Sequence, residues 1–189
     1  MTELDIVTRA MCKLQPPKVR PGRVAVHPGI IVHCTGGIRP NALSEAVERW
    51  RRCQHGHMAA PDWRDVEDPE TGKVHRKNFG GNGWSDIGYD FGVTPDGSIL
   101  EGRGWNVLGA HAGKGWNKWL GIVVLGKGTE ITPAEADAIR SIYLAHRERG
   151  GGPRVIPHNA VSNKSCPGPA VTAWLKNAFP EDFPGGVAA

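Results

Sequence analysis

Three side chains that can bind a metal stand at telling places in this sequence. His33 lies inside the apolar run Gly29–Cys34 (GIIVHC), and His158 and Cys166 flank a loop of seven residues that carries Asn and Lys. Two imidazole nitrogens and one thiolate suit zinc, and three protein ligands leave a fourth position for water, the arrangement of a catalytic rather than a structural site. The residues alone leave other readings open. A single His on a strand is more often a hydrogen-bonded core residue, and His27, His55, His57, His75, His111 and His146 compete for the same role. Cys166 could also be a nucleophile with a His base, but nothing near it in sequence supplies a separate base and orienter.

The elements that must position these residues are legible from pattern. GIIVHC is continuously apolar and reads as a buried strand. Residues 41–54 place Leu43, Ala46, Val47 and Trp50 at helical spacing. Residues 55–83, rich in Gly, Asp, Pro and His, read as an irregular excursion. Residues 87–93 and 98–103 flank Thr94-Pro95-Asp96-Gly97, a hairpin signal. Residues 120–125 read as another buried strand. Thr132-Pro133-Ala134-Glu135 combines a capping hydroxyl, an early Pro and a Glu three residues on, which starts a helix running to about Arg149. Arg154–Pro157 reads as a short strand and Pro169–Ala178 as a closing helix. Residues 1–28, with four prolines, read as a lead-in wrapping the surface, with a short helix before Cys12. The tail 180–189 reads as frayed.

Strands and helices mingle over 189 residues, enough for one α/β domain with a real core. The expected architecture is a central mixed sheet flanked by helices, with residues 29–179 as the catalytic domain. With 26 Gly and 15 Pro, much of the chain is turns and ordered loops, where sites tend to sit. The formal charge of +4 suits an anionic partner, yet the basic residues are dispersed rather than striped, which argues against nucleic acid. No stretch approaches the ~20 apolar residues of a membrane span, so no membrane insertion is expected. Four scattered cysteines fit a reduced chain better than a disulfide framework.

Four longer words narrow the choice of ligands: IIVHCTGG (30–37), WSDIGYDFGVTPDGSILEGRGW (84–105), LGAHAGKGWNKWLGIVVLG (108–126) and IPHNAVSNKSCPGPAV (156–171). In this order they resemble the type 2 N-acetylmuramoyl-L-alanine amidase family, which includes phage amidase lysozymes and peptidoglycan recognition proteins. The resemblance implies an amidase-lysozyme fold and Zn2+ held by His33, His158 and Cys166. It further implies a catalytic Tyr89 and, as in the phage branch, a catalytic Lys164. Zinc would activate water and polarise the amide carbonyl, Tyr89 would assist proton transfer, and Lys164 would stabilise the oxyanion.

His111 in the word G-A-H-A is expected at the substrate groove, with a hydrogen-bonded wall residue as its other reading. Trp84, Trp105 and Asn117 are further groove candidates for saccharide or peptide, alongside Trp116 and Trp119. Cys34 should point away from the ligand face as a small buried hydrophobe. Two departures stand out: Asp90 occupies a position where the family usually has His, and 55–83 is longer than expected. The activity implied is hydrolysis of bacterial peptidoglycan by a monomeric phage endolysin, made in the host cytoplasm without a signal peptide and reaching the wall after release. A recycling amidase for soluble wall fragments and a binding module that does not cut are the alternatives. An intact ligand set argues against the second, since relatives that only bind often lack the Cys.

Overall fold

A computed structural model describes residues 3–181. Six strands form one mixed sheet: β1 (Ile6–Val7), β2 (Gly29–Cys34), β5 (Phe91–Val93), β6 (Ile99–Glu101), β7 (Leu120–Val124) and β8 (Arg154–Pro157), in the order β1-β6-β5-β7-β2-β8. Only β5 and β6 pair antiparallel; the other neighbours are parallel. The last three strands of that order, β7, β2 and β8, run the same way, so their carboxyl ends lie on the same side of the sheet. Parallel strands covered on both faces need continuous apolar sequence, which is what GIIVHC and the run at 120–124 provide.

Helices cover both faces. α1 (Leu43–Met58) buries Ala46 and Trp50 against Ile87, Leu100, Val123 and Leu125. α2 (Pro133–Glu148) and α3 (Pro169–Ala178) pack Ile139, Ile142, Val171 and Leu175 on the other face, against Ile30, Val32, Leu120 and Ile122. Side chains alternate along β2, so Ile30, Val32 and Cys34 share the α2/α3 face while Ile31 and His33 face the opposite way. The capping box forms as read: Thr132 accepts from the Glu135 backbone N–H, and the Glu135 carboxylate accepts from the Thr132 N–H.

The structure corrects several local readings. Among the described residues no helix precedes Cys12; the chain there turns, after Ile6–Val7 has joined the sheet beside β6. The lead-in is tied down rather than draped, because Arg9 pairs with buried Asp86 at 3.0 Å and Cys12 is fully buried. α1 extends four residues beyond 54 to Met58. The stretch 55–83 is not wholly irregular, since β3 (Trp63–Glu67) and β4 (Val74–Asn78) make an exposed antiparallel ribbon. The expected strands 87–93 and 98–103 are regular only over Phe91–Val93 and Ile99–Glu101, with backbone bonds from Gly102 and Arg103 to Asp90 and Tyr89 continuing the pairing. Of the expected tail, residues 182–189 lie outside the described residues.

Candidate metal centre

His33 is the fifth residue of β2, and His158 follows directly on the last residue of β8. These strands are parallel neighbours, so the two imidazoles emerge at the same sheet edge, beyond the carboxyl ends where α/β folds place their sites. Cys166 arrives on the loop that leads into α3. Its Sγ stands 3.8 Å from His33 Nδ1 and accepts the Cys34 backbone N–H at 3.2 Å.

The three ligand atoms lie within 4.8 Å of one another, and the His33 and His158 rings are 4.4 Å apart. His158 Nδ1 is buried without a hydrogen-bond partner. An orphaned imidazole nitrogen costs free energy unless something accepts its lone pair, and a cation between two nitrogens and a thiolate would do so. The residues therefore fit zinc, and among the described residues no other His, Cys and acidic group comes together in this way.

Burial, with the neighbouring His111, His158 and Lys164, pushes the His33 pKa well below its usual range. Burial and Lys164 lower that of His158. Both rings are thus neutral and ready to ligate. The neighbouring Cys34 thiol and burial together raise the Cys166 pKa. A bound cation reverses that preference, so metal uptake releases a proton.

Tyr89 stands beside the cluster, its ring 5.2 Å from that of His33, and burial pushes its phenol well above the usual pKa. Lys164 is exposed on the ligand loop, and its charge is felt at His33, His158 and Cys166. Trp84 lies against His57 at 4.7 Å, and His57 lies 5.6 Å from Tyr89, so these rings step outward from the cluster. A cleft of about 360 Å³ opens there, lined by Thr35, Arg49, Cys53, His57 and Tyr89 among others. In sequence His57 stands with His55 and His75 as one of three histidines in the 55–83 stretch that could shape the groove or bind adventitious metal. Its place in the cleft comes from the length of α1, and its Nδ1 accepts the Gly88 N–H at 3.0 Å.

The other groove candidates separate. Trp105 does not face the cleft: it packs on Phe91 at 4.7 Å and under Arg149 at 4.4 Å, on the α2/α3 face. Asn117 turns its Oδ1 inward, accepting the His111 and Ala112 N–H groups at 2.9 Å each. His111 touches the cluster through His33 Nε2 at 2.9 Å. Asp90 does not; it is fully buried and accepts the Gly121 N–H at 2.6 Å. Cys34 does lie on the face away from His33, but it is only half-buried and keeps contact with Cys166 around the sheet edge.

A family model described as Amidase_2, N-acetylmuramoyl-L-alanine amidase, matches residues 23–169. Peptidoglycan-recognition protein SC2 of Drosophila melanogaster is 41% identical over 92 residues, covering 46% of this chain and 50% of that protein. A human N-acetylmuramoyl-L-alanine amidase is 35% identical over 130 residues, covering 65% of this chain and 23% of that one. The chain thus spans about half or less of the length of these relatives. Among solved structures, wild-type Drosophila peptidoglycan-recognition protein LB superposes with a TM-score of 0.79 at 25% identity, covering 99% of this chain and 100% of that one. A mutant of the same protein, solved in complex with tracheal cytotoxin, gives 0.77 at 26%, covering 97% and 99%. With the match running from residue 23, ahead of β2, through the ligand loop, this chain belongs to the Amidase_2 family of N-acetylmuramoyl-L-alanine amidases.

Proposed function

We propose that this chain is a zinc-dependent amidase that hydrolyses the bond between N-acetylmuramic acid and L-alanine in bacterial peptidoglycan. The observation that carries the reading is the convergence of His33, His158 and Cys166 within 4.8 Å, with one imidazole nitrogen left unpartnered. Those three side chains would hold zinc, which when bound supplies a Lewis acid for the scissile carbonyl and lowers the pKa of water.

The chain's own residues do the rest. Tyr89 keeps its hydroxyl proton, since burial opposes the phenolate, and so serves as a donor that holds the attacking water and passes on a proton rather than as a strong base. Lys164 brings a positive charge to the ligand loop, where negative charge builds on the carbonyl oxygen. The cleft beside Tyr89 offers the stem peptide a wall formed by α1. The setting proposed with this chemistry is a monomeric phage endolysin, made in the host cytoplasm and acting on the wall after release.

Mass spectrometry of digested walls tests the activity. Free peptide stems with intact glycan chains support it, whereas walls bound but left whole would make the chain a binding module. Faster turnover of soluble wall fragments than of whole wall would favour the recycling role instead.

A further inference from the structure

We infer that His111 is a positioning residue for the metal ligand His33, fixing which of its ring nitrogens is free. This rests on the zinc reading above. His111 Nε2 faces the Trp119 carbonyl at 3.1 Å. A carbonyl only accepts, so Nε2 carries the hydrogen, and in the neutral ring Nδ1 is then a bare acceptor. That Nδ1 faces His33 Nε2 at 2.9 Å, so His33 Nε2 must be the donor. His33 Nδ1 is left with its lone pair, aimed towards Cys166 Sγ at 3.8 Å. A backbone carbonyl on the chain entering β7 thus sets the tautomer of a ligand on β2 through one intervening ring.

The intervening ring cannot drift. A Cβ on Gly109 would come within 2.5 Å of His111 Cδ2 and one on Gly121 within 2.6 Å, so the ring occupies space that two glycines leave open. Its backbone N–H is held by Asn117 Oδ1 at 2.9 Å. With both ring nitrogens engaged by protein groups, neither is left to recognise substrate. Partners behind a ligating His orient it and raise its basicity, and losing one typically costs about 10- to 100-fold in metal affinity.

The test uses the full chain with His111→Phe, which keeps a ring without an acceptor, and His111→Asn, whose Oδ1 stands near the position of Nδ1. Zinc affinity is read by competition with a chromophoric chelator, and folding by melting in excess chelator. Expected is a loss of about 10- to 100-fold for Phe, with most of the affinity kept by Asn. Long-range proton–nitrogen NMR of the metal-free wild type should find His33 protonated on Nε2. Folded His111→Phe that binds zinc as tightly as wild type, or a His33 protonated on Nδ1, overturns the role. The NMR result decides alone if His111→Phe fails to fold. A wild-type chain that shows this tautomer but binds no zinc would overturn the metal reading, and the positioning role with it.

Discussion

Replacing Gly121 by Ala puts a methyl group where His111 already sits. The added Cβ would lie 2.6 Å from His111 Cδ2, 2.7 Å from Nε2 and 2.9 Å from Cγ, against an ordinary carbon contact of roughly 3.5–4.0 Å. Relief therefore needs a shift of about 1 Å in the ring or the strand. The ring has little room, because the Gly109 backbone lies against the same edge. The strand is held too, by the Asp90 carboxylate on the Gly121 N–H at 2.6 Å. Overpacking of this kind costs about 1–3 kcal/mol. For a domain of this size that is a fall in Tm of roughly 2–12 °C. A 1 Å shift also stretches the 2.9 Å bond between His111 and His33 beyond hydrogen-bond range, so zinc affinity should fall with stability. Gly56→Ala is the control. It lies in α1 with nothing within 4 Å of the new methyl, and helix propensity predicts a gain of up to about 1 kcal/mol. Melting of both variants in chelator, then zinc competition, separates the effects. A Gly121→Ala protein that melts with wild type and binds zinc equally well would show that the close approach of strand and ring does not constrain the site.

Cys166→Ser should lose or loosen zinc, because a serine hydroxyl stays protonated at neutral pH, while pelleting with walls persists through the cleft; dye release kept at the wild-type rate would remove Cys166 from the metal site. Tyr89→Phe and Lys164→Ala should each lower turnover by about 100- to 1000-fold with zinc content unchanged. Retention of more than about a tenth of wild-type turnover, which is only ~1.4 kcal/mol of barrier, would refute the role of that residue. In metal-free protein, burial holds His57, His111 and His146 near a pKa of about 4. The unfolded chain binds protons at these residues near pH ~6.5. Between those values the unfolded state carries more protons, so the stability present above about pH 6.5 is lost as pH falls towards 4. A Tm in chelator that stays flat across that window would contradict the burial of these rings.

Much of this protein is legible without coordinates because its signals are local. GIIVHC is apolar throughout since both faces of its strand are covered. Thr132 and Glu135 cap each other across three residues, a contact made within one turn of the chain. β8 and α3 begin and end where the sequence changes character at 154–157 and 169–178. The ligand set was readable too, since His33, His158 and Cys166 each sit in a distinctive word, and the fold brings all three together.

What the sequence left undecided depends on partners far along the chain. Ile6–Val7 is too short to announce itself and becomes a strand only because Ile99–Glu101 offers an edge. The ribbon of β3 and β4 hides in polar sequence because both of its faces meet solvent, so no alternation of apolar and polar residues marks it. Trp105 and Trp84 look alike as tryptophans beside glycines. Tertiary packing sends one to Phe91 and Arg149 and the other to His57. The placement of His111 is the clearest case: its two ring nitrogens face a carbonyl at 119 and a ring at 33, and spacing in sequence says nothing about either.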